Sequence, residues 1–228
     1  MGCSPAPAGL EFILPLDANL NPGASFLTML GETTSTWISD RRATARRKIL
    51  DAAWQVTREQ GLAALTLREV AARVGIRAPS LYSHFESKHA IYDAMFGESW
   101  TELLETSRRV TLPKTPRAAL RVVAHTFFDF ATADLARHQL MNQRIIPGFT
   151  PSAASYAPAV AALTELVEQL RTRGVDPSEA DIDLYTALVG GLVDQQWAND
   201  PGGSRWARLL DRAIDMYADN LDLPLEEP

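Results

Sequence analysis

The feature that most restricts this chain is a pair of short helical segments pinched together at Gly75. The first, LTLREVAARVG, opens with Thr66 and has Glu69 three residues later. That is a capping-box pattern: the Thr hydroxyl accepts a backbone N–H and the Glu reaches back to the cap. The second lies in GIRAPSLYSHFESKHAIYDAM, where the spacing predicts a helix of about two turns from Ala78. Pro79 fits near its start because first-turn N–H groups have no intrahelical partner. One face is polar (Ser80, Ser83, His84) and the other apolar (Leu81, Phe85). Ala71, four residues before Gly75, lets the two helices approach, and the glycine permits a positive φ in the turn. Val70, Val74, Ile76, Leu81 and Phe85 then fasten the pair to a preceding helix. The pattern is a helix-turn-helix whose second helix offers its N-terminal face to a major groove.

Short side chains at Ala78, Ser80 and Ser83 let a backbone come close to base edges, and serine can donate to or accept from several bases. Tyr82, His84, Lys88 and Thr66 are placed to meet phosphates, which set the register on a duplex. Arg68 is long enough to reach guanine or phosphate. A three-helix unit of this kind can also serve as a protein-interaction module, but the charge distribution weighs against that. The whole chain carries −6, yet residues 41–96 hold ten Lys and Arg against five Asp and Glu, a net of +5. Residues 1–40 carry −4 and residues 97–228 carry −7. A basic segment on an acidic remainder suits a protein that meets a polyanion with one part only. The basic run RRATARRK reads as a solvated helix start, or else as an arm reaching an adjacent groove.

The remainder reads as all-α, with no convincing strand alternation. Residues 1–40, with Pro5, Pro7, Pro15 and Pro22, show no helical period and read as a disordered, dispensable leader. ATARRKILDAAWQVTREQG is the first helix, ended by Gly61. Ser87 caps a longer helix running to about Ser107, and Thr115-Pro116 opens the next. A short helix is expected near 136–143, then a loop, IPGFTPSAASYAP, then a helix from AVAALTELVEQLRTRG stopped at Gly174. Asp176, with Pro177 and Glu179 behind it, is expected to cap the next helix, and SRWARLLDRAIDMYADNL completes the chain. No run of about 18 apolar residues is present, and the start lacks the basic and apolar regions of a signal peptide. The single cysteine, Cys3, builds no disulfide framework or zinc site. A cytoplasmic protein away from membranes is the expectation.

ILDAAWQVTREQGLAALTLREVAARVGIRAPSLYSHFESKHAIYDAM resembles the amino-terminal domain of the TetR family of transcriptional repressors. Ile49 to Ala53, Gly61, Thr66, Val70-Ala71, Val74-Gly75, Leu81-Tyr82, His84-Phe85 and Lys88 carry the likeness. The resemblance implies an all-helical homodimer. Its small amino-terminal domain binds a palindromic double-stranded operator, and its larger domain binds a small-molecule inducer and dimerises. The DNA-touching positions it implies are Thr66, Arg68, Ala78, Pro79, Ser80, Tyr82, Ser83, His84 and Lys88. The organisation expected is a leader over 1–40, a helix-turn-helix domain over 41–88, a helical effector and dimerisation domain over 89–222 and a tail over 223–228.

The acidic remainder carries no catalytic, phosphate-loop or cofactor motif and reads as non-enzymatic. His125 with Asp129, and Asp134 with His138, have helical chelate spacing, but solvated faces are the better reading and no metal is expected. Trp100, Phe127, Phe130, Met141, Phe149, Tyr156 and Trp197 are candidate lining for an apolar inducer pocket. The last two helices are apolar on more than one face, so each needs two partners. Leu188, Gly191, Leu192, Leu210, Ile214 and Tyr217 are the expected dimer contacts, with Gly190 and Gly191 permitting close helix approach. The rival reading is a helical small-molecule-binding or enzymatic protein that retains a vestigial DNA-binding domain.

Overall fold

The computed structural model describes residues 32–224, with side chains from residue 40 onward. Nine α-helices and no strand occur among these residues: α1 Glu32–Gln60, α2 Leu67–Val74, α3 Ala78–Leu81, α4 Lys88–Arg109, α5 Pro116–Thr132, α6 Leu135–Asn142, α7 Ala153–Arg171, α8 Glu179–Asn199 and α9 Leu210–Asn220. The first helix reaches back to Glu32, so residues 32–40, expected to be part of an irregular leader, continue α1. The rest of that leader, residues 1–31, and the tail residues 225–228 lie outside the described residues.

Helix starts follow local caps where the sequence has them. Thr66 accepts from Glu69 N at 3.1 Å, and Ser87 accepts from Ala90 N at 3.1 Å. The Thr66 box is half formed: the Glu69 carboxylate turns to Arg73, 3.5 Å away. The α8 start lies two residues later than expected. Ser178 is the cap, accepting from Asp181 N at 3.3 Å while Asp181 accepts from Ser178 N at 2.8 Å. Asp176 is instead held by Arg171 at 2.9 Å.

The start of α7 departs further. Ala153 to Ala157, expected in a loop, are helical, and Pro158 sits inside the helix. The cause is remote in sequence. Asp93, on α4, accepts from Ser152 N at 2.7 Å and from the Ser152 and Ser155 hydroxyls, each at 2.8 Å. A carboxylate at a helix N-terminus is stabilised by the free N–H groups and the helix dipole. The two helices cross closely beside it. A Cβ on Gly97 would lie 3.1 Å from Ser155 Cα, which is backbone and cannot swing aside. Gly97→Leu is therefore expected to destabilise the protein by about 1–3 kcal/mol despite its better helix propensity. Urea unfolding checks this; an unchanged midpoint would show that the crossing is loose.

One buried core joins the helix-turn-helix to the helices beyond it. Ile49, Val56, Val70, Leu81 and Phe85 are continuous with Ile91, Met95 and Phe96 of α4, Leu140 of α6 and Tyr156 of α7. A second core gathers Leu120 and Phe128 of α5, Val189 and Val193 of α8, and Leu210, Ile214 and Tyr217 of α9. The last described residues are anchored to that half. The buried Arg117 guanidinium donates to Asp219 at 2.5 Å, to Leu223 O at 2.6 Å and to Pro224 O at 2.9 Å.

Candidate nucleic-acid interface and ligand cavity

The turn between α2 and α3 forms as its residues require. Gly75 adopts φ 77°, ψ 28°, and Ile76 N returns to Ala71 O at 3.0 Å. Leu81 and Phe85 are buried, so their turns must expose the opposite side. That side carries Pro79, Ser80, Tyr82 and Ser83, with Tyr82 56% exposed. Thr66, Arg68 and Lys88 are exposed as well, while Ala78 and His84 are half-buried. The exposed side chains are available to a partner.

The reading helix is shorter than expected. Ala78–Leu81 is one α-turn, followed by a looser turn through His84. Ser83 N meets Ser80 O at 3.4 Å, and the Ser83 hydroxyl donates to the same carbonyl at 2.7 Å. This hydroxyl contact competes with regular helix geometry. Two arginines of α1 steady the frayed end. Arg46 donates to His84 O at 2.5 Å and lies over the Phe85 ring, 4.1 Å from its centroid. Arg42 reaches Ser83 O at 3.4 Å. Cations suit the carbonyl end of a helix. This role of Arg46 and Arg42 is not evident from sequence; their i,i+4 spacing is the one signal that points to it. Arg47, in the same run, pairs with Asp51 at 2.8 Å and with Glu98.

A cavity of about 350 Å³ opens between α4, α5, α7 and α8. Four of the seven candidate pocket residues line it: Trp100, Phe127, Met141 and Tyr156. The other three do not. Phe130 packs with Leu103 and Met141 under Arg137, which lies 3.7 Å from its ring centroid. Phe149 belongs to an aromatic group with His89, Tyr92 and Phe96. Trp197 donates to Ala131 O at 3.1 Å and lines a separate cleft with Arg58 and Asp134. Tyr185, Tyr217 and Ile182 line the main cavity and were not singled out for it from sequence. Burial raises the hydroxyl pKa of Tyr185 strongly and pushes that of Tyr217 up to about 12.

The expected dimer contacts divide. Leu210, Ile214 and Tyr217 are not available to a second subunit, because they are buried within the chain's own second core. Their helix spends its best apolar face inward. Leu188 and Leu192 are half-buried and Gly191 is exposed. The outward apolar residues are Leu184, 49% exposed, with Leu209 and Met216. Among the described residues, and apart from its chain neighbours and its own helix backbone, nothing comes within 4 Å of a Cβ placed on Gly190 or Gly191. The chelate pairs dissolve as well. His125 bonds Asp211 at 2.7 Å, His138 bonds Asp194 at 2.8 Å, and Asp134 caps α6 while pairing with Arg58. No group of three or more metal-ligating side chains forms among the described residues.

A family model described as "Bacterial regulatory proteins, tetR family" matches residues 49–95, from mid-α1 into α4. The HTH-type transcriptional activator FasR of Mycolicibacterium smegmatis is 30% identical over 160 residues, covering 68% of this chain and 73% of FasR. The chain belongs to the TetR family. The tetracycline repressor protein class A from transposon 1721 of Escherichia coli is 27% identical over 177 residues, covering 74% of this chain and 79% of that one. Among solved structures, a bacterial regulatory protein of the TetR family from Rhodococcus RHA1 superposes with a TM-score of 0.58 at 18% identity. It covers 76% of this chain and 96% of that one, and so shares the fold. All nine candidate DNA-touching residues of this TetR-family chain fall inside the matched segment. Among the described residues, no helix is long and apolar enough to cross a membrane.

Proposed function

We propose that this TetR-family protein is a homodimeric transcriptional repressor. It grips a palindromic double-stranded operator with α2 and α3 and releases it when a small-molecule inducer enters the cavity. The observation that carries the reading is the course of α4. This one helix of 22 residues starts at Lys88, beside the exposed polar face, and its later turns supply Trp100, Leu103 and Leu104 to the cavity wall. A ligand that shifts α4 moves the reading face with it. Two half-sites must be met together, so a small swing of each subunit loses both.

Leu184 on α8 and Met216 on α9, with Leu209 just before α9, support the homodimer, because large apolar side chains left exposed on a lone chain favour association. The named relatives include an activator and a repressor, so the sign of regulation needs its own readout. The test is footprinting of the purified protein on the DNA flanking its own gene, with the footprinted site placed ahead of a reporter. Protection of two symmetric half-sites and reduced reporter output are expected. An absence of protection at low salt would refute DNA binding, and raised output would refute repression.

Within that interface, Lys88→Ala is expected to weaken binding to all sequences alike and to flatten the salt dependence by about one counterion. Tyr82→Phe is expected to act in the same sequence-independent way. Arg68→Ala is expected to change base preference. Fluorescence anisotropy over a salt series on matched and mismatched duplexes separates these roles. A Lys88→Ala protein with altered preference and an unchanged salt slope would show the assignment to be wrong.

A further inference from the structure

We infer that the cavity takes a neutral, largely apolar molecule that presents a carbonyl or hydroxyl oxygen to Trp100 and Tyr156. The inference rests on the cavity being the inducer site proposed above.

The hydrogen-bond inventory of the wall supplies the first argument. Trp100 Nε1 and the Tyr156 hydroxyl are buried and have no protein partner, and both residues line the cavity. Other lining hydroxyls already donate inside the chain: Thr126 to Val122 O at 2.8 Å, Tyr185 to Leu120 O at 3.2 Å, Thr186 to Ile182 O at 2.9 Å and Tyr217 to Asp181 O at 2.9 Å. The Trp100 and Tyr156 donors are held in place. Phe96 stacks on Tyr156 at 6.1 Å with the rings 13° from parallel, and its centroid is 6.3 Å from that of Trp100. Tyr156 is only 2% exposed, so its ring has little room to turn its hydroxyl out to solvent. A buried donor without an acceptor is costly, and a ligand oxygen removes that cost. Indole N–H donates only, so the ligand atom facing Trp100 must be an acceptor. Burial also raises the Tyr156 pKa, which keeps its hydroxyl protonated and able to donate.

Charge supplies the second argument. Among the described residues, no Lys, Arg or His lines the cavity. The charged residues that do are acidic: Glu165, Glu179 and Asp183. Arg108 grips both oxygens of Glu165, which lowers the Glu165 pKa and keeps it ionised. A ligand carboxylate would enter an apolar space with acidic side chains and no lining cation, and an unpaired buried anion is strongly disfavoured. A neutral oxygen acceptor meets no such penalty. Leucine, valine and aromatic side chains make up most of the wall and suit a hydrocarbon body.

The test is isothermal titration calorimetry of the full chain without DNA, using 2-undecanone and undecanoate as probes of equal carbon number. 2-Undecanone is expected to bind at least tenfold more tightly than undecanoate. The pair Trp100→Phe with Tyr156→Phe is expected to weaken 2-undecanone by roughly fivefold to a hundredfold, the range for two lost neutral hydrogen bonds. Tyr156→Phe alone is expected to leave the thermal midpoint of the unliganded protein unchanged or raised, because its hydroxyl has no internal partner to lose. Equal binding of undecanoate, an unaltered affinity in the double variant, or no heat with millimolar 2-undecanone would each overturn the inference. The repressor reading fails separately. A protein that prefers the ketone yet keeps its grip on DNA refutes release by inducer and leaves the ligand class standing, whereas release by a carboxylate does the reverse.

Discussion

Gly191→Arg is expected to yield a folded monomer whose operator affinity falls by on the order of a thousandfold or more, toward the sequence-independent level. The two halves of that expectation have separate grounds. Gly191 is exposed, and a Cβ there meets nothing within 4 Å, so the chain's own packing tolerates the side chain. Helix propensity even improves by about 1 kcal/mol when a helical glycine is replaced. The residue shares a helical face with Leu184, Ala187 and Leu188, at the spacing that puts side chains on one stripe. Two such stripes meeting would place guanidinium groups against apolar surface and against each other, which is costly. A monomer then holds one half-site. Sedimentation velocity at micromolar concentration, with anisotropy on the operator, reads both halves. A variant that remains dimeric would place the interface elsewhere, and a monomer with full affinity would refute the two-half-site mechanism.

Phe85→Ala is expected to cost about 3–5 kcal/mol, the range for removing a buried phenylalanine ring. Phe85 is only 2% exposed and sits where α1, α2 and α3 converge. Its ring is also the platform for Arg46, whose guanidinium holds His84 O. The variant therefore loses core volume and the cap on the reading helix together. In a chain of this length each kcal/mol moves the thermal midpoint by roughly 2–4 °C, so a fall of about 10 °C is expected. Arg46→Met keeps the ring and removes the cap alone; its midpoint should fall far less while DNA affinity still drops. Equal losses in the two variants would show that the ring, and not the arginine, supports the reading face.

Features decided within a few residues were legible in the sequence. Thr66, Ser87 and Thr115 stand at the helix starts where their side chains or a following proline predict them. Gly75 takes the positive φ its turn demands. The polar face around Ser80 and Ser83 follows from the burial of Leu81 and Phe85. What stayed hidden depends on contacts across the fold. The early start of α7 needs a carboxylate from Asp93, 59 residues before Ser152. The two-sided apolar character of α9 does not say which side meets home core; Leu210, Ile214 and Tyr217 turned inward and left Leu209 and Met216 outside. Likewise an aromatic side chain carries no mark of whether it borders empty space. Phe149 is enclosed by other rings while Tyr156, seven residues on, faces the cavity.

The cavity has two walls drawn from two different cores. Tyr156 and Ala159 belong to the core that also contains Leu81 and Phe85, whereas Leu120, Val189 and Tyr217 belong to the core of α5, α8 and α9. Anyone retuning this protein to sense a new compound therefore has one permissive side and one entangled side. Changes at Leu120 or Val189 reshape the chamber through helices that do not carry the reading head. Changes at Ala159 or Tyr156 disturb the seat of that head, and a biosensor built through them would alter its resting output along with its selectivity.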